Sequence, residues 1–234
     1  MAAGKKLKDI RLRRAQLEDE ETEVVSLMKK FGRTYSEEAR IELKDEPGPL
    51  FQLLVLSLLL SARIRAGTAV RAAVGLFENG WTSPAAMEAS SWEQRVAVLN
   101  QRGYARYDES SARMLEQTTL LLQNRYHGDL RCLRDEAEGE PKRIRERLME
   151  FKGIGDVGAG IFLREVQAVW ETVYPYIDAR ARDTADNLGL PKTAKSLAGL
   201  VDGPVGMARL MAALIRIRLA GARTREEALA LARS

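Results

Sequence analysis

Cysteine is nearly absent from this chain: Cys132 is the one thiol in 234 residues. A lone thiol excludes an internal disulfide and any cysteine-held cluster. Histidine is equally scarce, with His127 alone, so no histidine pair is available for zinc. Long apolar runs are missing too. The longest, Leu50 to Leu60, is interrupted by Gln52 and Ser57 and falls well short of the roughly 20 residues a membrane span needs. It reads as a buried helix, and no membrane partner is expected. The basic start is not followed by an apolar signal core, so no secretory leader is expected and the location should be intracellular, in the cytoplasm. No internal repeat or low-complexity linker appears. Strand-like alternation is also lacking, which argues against a sheet. The chemistry is therefore expected from carboxylates, amines, backbone and water, with no metal and no cofactor.

What is present is moderately basic: 37 Lys and Arg against 33 Asp and Glu, a net charge of +4 and a pI near 9.2. That balance favours a nucleic-acid partner without requiring one. Helical punctuation fills the chain, giving about ten helices by spacing. Residues 9–30 place Leu and Val at helical intervals among charges. Pro47-Gly48-Pro49 is a hard break before an apolar helix over 50–62. Ser83-Pro84 reads as a cap with proline at the first helical position, and Ser90 with Glu93 as a capping box. Asp108 is expected to cap a helix over 109–125 ending near His127-Gly128. Pro141 opens a basic amphipathic helix through Phe151. Helices are then expected over 156–170, from about Ala179 after the Pro175 turn, and over 204–219 and 224–233. Met207, Met211 and Leu214 stand at core spacing.

Two segments carry chemistry. Phe151-Lys152-Gly153-Ile154-Gly155-Asp156-Val157-Gly158 is a glycine hairpin opening onto a helix. Such a turn offers unpaired N–H groups at the positive end of a helix dipole, which suits a phosphate, and glycines let it approach. Lys142, Arg143, Arg145, Arg147 and Lys152 surround it, with Glu146 and Glu150 the acids nearby before Asp156. The plain alternative is a tight αα turn whose glycines only let two helices pack. Some twenty residues on, Tyr176-Ile177-Asp178 ends an apolar stretch in a carboxylate. Asp178 could cap the next helix, stabilise a developing cation or activate water.

Together with Leu59-Leu60-Ser61-Ala62 and Gly103-Tyr104, in this order, the hairpin and Ile177-Asp178 resemble the helix-hairpin-helix DNA glycosylases, the superfamily of endonuclease III. The resemblance covers roughly residues 48–219. It implies an all-α fold, with a six-helix barrel over 47–155 and a second helical lobe from 1–46 with 156–234, and DNA and active site in the cleft between. It implies a monomer acting on double-stranded DNA that contains a damaged or mismatched base. The hairpin residues Lys152, Gly153, Ile154, Gly155 and Gly158 would grip the phosphate backbone without reading bases. Asp178 would be the catalytic carboxylate. The base would be flipped out and the gap filled by Arg63, after the Leu-Ser-Ala motif, and by Tyr104. No Asp or Glu occurs over 47–77 or 94–107, while Arg63, Arg65, Arg71, Arg95, Arg102 and Arg106 do. The alternatives are a helix-end charge for Arg63 and a packed loop aromatic for Tyr104.

The chain departs from the family at three points. Many relatives carry a four-cysteine iron–sulfur cluster, for which one thiol cannot suffice. Members that also cut the strand carry a lysine four positions beyond the first hairpin glycine, where this chain has Val157, so a monofunctional enzyme is expected. Ala179-Arg180 stands where endonuclease III-like enzymes usually have Thr-His. Two alternatives stay open: an inactive DNA-binding paralogue, and a lyase using a lysine from elsewhere. Over residues 1–17, Lys5, Lys6, Lys8, Arg11, Arg13 and Arg14 against Asp9 read as a solvated helix start or as an arm adding electrostatic affinity.

Overall fold

The computed structural model describes residues 20–233. The reading of 1–17, and the first part of the helical pattern over 9–30, lie outside the described residues. Among the described residues every regular element is a helix, in line with the all-α expectation. None of these helices is long and apolar enough to cross a membrane.

The chain forms two compact units, Thr34–Tyr176 and Met1–Arg33 with Ile177–Ser234. In the first unit, helix α3 (Pro47–Leu60) is buried at Leu50, Phe51, Leu53, Leu54, Val55, Leu56, Leu58 and Leu59, nearly all round its axis. A helix apolar on every side belongs at the centre of a core, and each such side chain contributes about 1.5–3 kcal/mol on burial. Around it lie α2 (Tyr35–Glu38), α4 (Ala66–Glu78), α7 (Asp108–Tyr126), α8 (Leu130–Glu136) and α10 (Asp156–Val166). The remaining helices, α5 (Pro84–Glu88), α6 (Trp92–Gln101) and α9 (Pro141–Leu148), pack on these. Pro47 and Pro49 do not break the chain before α3. They fill its first turn, where an N–H would have no intrahelical acceptor.

Two cap assignments shift. The capping box over α6 is Ser91 with Gln94, each side chain bonding the other's backbone N–H. Ser90 is buried instead, donating to the Met87 carbonyl and accepting from Arg95. Asp108 is the first residue of α7 rather than its cap; its Oδ2 accepts from Asn100 Nδ2 at 2.9 Å. α7 ends at His127, which adopts the left-handed conformation. α9 stops at Leu148 and α10 at Val166, each a few residues before its expected end.

The second unit comprises α1 (helical over 20–31), α11 (Ala179–Asn187), α12 (Ala194–Ala198), α13 (Gly203–Leu219) and α14 (Arg225–Arg233). α13 carries its core, with Met207, Met211 and Leu214 fully buried as their spacing predicts. α11 and α12 pack on α13. Arg225 grips Glu23 and Arg216 Nε donates to the Arg33 carbonyl at 3.1 Å, joining both ends of this unit.

Candidate functional site

The hairpin forms between α9 and α10. Gly155 is the N-cap of α10 in extended conformation, with no side-chain cap, and the N–H groups of Gly155, Asp156 and Val157 find no acceptor among the described residues. An uncapped helix start of this kind favours an anion. The two glycines serve different purposes, and positive φ is required at only one of them. Gly153 has φ +87°, and a Cβ there would stand 2.8 Å from Met114 Sδ and 3.2 Å from Leu58 Cγ. At Gly155 a Cβ would meet open space. Gly153 is thus a packing glycine, while Gly155 keeps the outer surface of the turn bare.

The other hairpin residues divide likewise. Lys152 is exposed, and its carbonyl accepts from Thr118 Oγ1 at 3.0 Å. Ile154 points into the core, its N–H donating to the Phe151 carbonyl. Gly158 is buried, and a Cβ there would collide with Ser61 Oγ. Glycine at this position is what lets the start of α10 approach the end of α3 so closely. Val157 is half-buried against the core. The surrounding charge is also more neutralised than its sequence implies. Arg143 pairs with Glu138, Arg145 with Asp156, and Arg147 with Glu150, which Arg125 also holds. Lys142 and Lys152 have no acidic partner among the described residues.

The C-terminal end of α3 gathers three of the segments singled out in the sequence. Leu58 lies against Gly153, Ser61 against Gly158, and the Leu59 carbonyl accepts the Tyr104 hydroxyl at 2.9 Å. Tyr104 is 0% exposed and its ring centroid lies 6.3 Å from that of Tyr107; burial pushes its phenol above the ordinary range. Tyr104 is therefore a core residue that fixes its loop, not a side chain free to enter a duplex. The exposed cationic side chains on these loops are Arg63, Arg65 and Arg106, the last lying over the Tyr107 ring at 5.4 Å.

Asp178 belongs to the other unit. It is the N-cap of α11, with Oδ1 accepting from Ala181 N at 2.8 Å, and is half-buried. No group of three or more His, Cys, Asp or Glu gathers among the described residues. Cys132 is a half-buried single thiol, where a tetrathiolate site needs four.

Sequence reasoning missed two buried polar side chains. Glu165 of α10 accepts from Tyr35 N (2.8 Å), Ser36 N (3.0 Å) and Ser36 Oγ (2.6 Å), capping the short α2 from across the unit. Gln167 bonds both backbone groups of Tyr176. No local pattern announces either residue, since their partners are distant or in irregular chain.

No family model matches this chain, and neither does any curated protein. A solved structure titled as a trapped endonuclease III–DNA covalent intermediate, in an estranged-adenine complex, is similar with a TM-score of 0.45. Identity is 17%, over 73% of this chain and 76% of that one.

Proposed function

We propose that this protein is a monofunctional DNA glycosylase, which flips a damaged or mismatched base from a duplex and hydrolyses its N-glycosidic bond. One observation carries the reading: the Leu-Ser-Ala segment, the Gly103-Tyr104 loop and the glycine hairpin, scattered over a hundred residues of sequence, meet at one end of α3. In this reading the bare turn at Gly155 and the free N–H groups behind it hold a backbone phosphate, with Lys152 beside them. Arg63 lies on the adjoining loop and enters the space the base leaves.

Asp178 then serves the sugar. Loss of the base builds positive charge on the deoxyribose ring, which a carboxylate stabilises, and the same group orients the attacking water. The bond from C1′ to the base nitrogen breaks, water oxygen bonds to C1′, and the base leaves with a proton. Val157 has no amine to intercept the sugar, so the product is an intact abasic site.

Asparagine caps helices as well as aspartate does. Asp178→Asn should therefore leave the melting temperature nearly unchanged while base release, scored on a panel of lesion duplexes, drops about a hundredfold to a thousandfold, the scale on which preorganised charge acts. Strand breaks in the wild-type reaction should appear only after alkali, with no borohydride-trapped adduct. Because Asp178 Oδ1 is engaged in capping, a DNA-binding paralogue without catalysis is the competing reading, and base release by neither protein on any duplex would establish it.

A further inference from the structure

Within the first unit, the turn that begins at Gly103 packs on the first turn of α4. A Cβ at Gly103 would lie 3.9 Å from Thr68 Cγ2. Arg71, further along α4, donates from Nη2 to Thr68 Oγ1 at 3.0 Å. Arg65 is the N-cap of the same helix. Arg106 stands in the Gly103 turn, which the Tyr107 N–H closes by donating to the Tyr104 carbonyl at 3.1 Å. Its guanidinium lies over the Tyr107 ring at 5.4 Å, and the Leu59 carbonyl anchors the neighbouring Tyr104. Arg65, Arg71 and Arg106 are all exposed and share this corner of the unit.

No carboxylate answers them. Residues 47–77 and 94–107 contain no acid, and the acids at the borders are engaged elsewhere. Glu78 is held by Arg102, and Asp108 accepts from Asn100 Nδ2 and from the Glu109 N–H. Arg65, Arg71 and Arg106 thus have no acidic partner among the described residues. Other exposed arginines of this unit do: Arg40 pairs with Glu78, Arg113 with Glu109 and Arg143 with Glu138. Like charges gathered without a counter-charge repel one another, and a polyanion relieves that repulsion. The guanidinium fork matches phosphate oxygens, and a duplex supplies phosphates close enough together for several arginines to meet one each. Arg71 rests on Thr68 and Arg106 on Tyr107, so less side-chain freedom is lost on contact.

We propose that Arg65, Arg71 and Arg106 form a second phosphate contact for a DNA duplex, separate from the hairpin and acting on the backbone rather than on bases. The inference rests on the reading of the partner as duplex DNA given above, and is independent of catalysis by Asp178.

The test is binding of undamaged duplexes of unrelated sequence over a range of salt concentrations. Arg71→Gln and Arg106→Gln should each lower the slope of log Kd against log salt by about 0.9, with the same loss of affinity on every sequence. Arg131→Gln makes the same change in net charge, but Asp129 already holds Arg131 at 2.7 Å, so its slope should match the wild type. Unchanged slopes for the Arg71 and Arg106 variants, a loss that depends on base sequence, or an equal drop for Arg131→Gln overturns the inference. Arg71→Lys and Arg106→Lys keep the charge and should hold the wild-type slope; a slope lost with lysine as with glutamine traces to damaged folding and overturns it too. Because the probe carries no lesion, a protein that binds duplex but releases no base loses the glycosylase reading and keeps this one. A wild-type protein without duplex affinity loses both.

Discussion

An alanine methyl at position 155 would project into open space, whereas at 153 it would press on Met114 and Leu58 from a backbone with φ +87°. The two substitutions should therefore separate folding from binding. Gly153→Ala carries about 1–2 kcal/mol of left-handed strain, with overpacking in addition, and should lower the melting temperature. Gly155→Ala should leave melting unchanged and weaken duplex binding several-fold whatever the sequence, since the added methyl stands where a phosphate would approach. A Gly155→Ala protein with full affinity would reduce the hairpin to a packing turn. Tyr104 makes the reverse point at the same scale. The sequence offers an aromatic after a glycine in an acid-free loop, and nothing local says whether it points outward. Its hydroxyl settles the matter by finding the Leu59 carbonyl, a partner 45 residues away.

Among the elements, α10 bears most on function, and its first residue works against the proposed use. Asp156 puts a carboxylate on the helix start, 72% exposed in its side chain, and Arg145 from α9 is drawn onto it. Asp156→Asn removes a charge that repels phosphate and releases a guanidinium to meet one. Duplex affinity should rise several-fold, and the slope of log Kd against log salt should steepen by about one, as for one more phosphate contact. Identical salt slopes for the two proteins would mean that Arg145 stays clear of the duplex. Most element starts were legible beforehand because prolines and hydroxyl caps act locally: Pro47, Pro84 and Pro141 all stand at the beginning of helices. The register of a cap was less so. Ser90 with Glu93 and Ser91 with Gln94 fit the same pattern one residue apart, and burial of Ser90 against Arg95 decides between them. Glu165 and Gln167 were illegible altogether, because their roles arise only once distant backbone has been brought to them.

At the scale of the molecule, the apolar core around α3 draws every member from residues between Tyr35 and Val173. The segment 34–176 should accordingly fold by itself with a cooperative melting transition, and should bind duplex without releasing a base, since Asp178 is not part of it. A fragment that stays unfolded would show that this core needs the remainder of the chain. The meeting of three segments on one end of α3 also constrains how such a chain can drift over generations. Ser61 and Gly158 share a space with no room for a methyl, Leu58 and Met114 close over Gly153, and Tyr104 depends on a carbonyl at the same end. A larger residue on one side of any of these pairs is tolerable only with a smaller one opposite. In a collection of homologous sequences, positions 58, 114 and 153 should covary, as should 61 and 158. Insertions and deletions should avoid 59–62, 103–104 and 153–158 while accumulating in the exposed turns between the other helices.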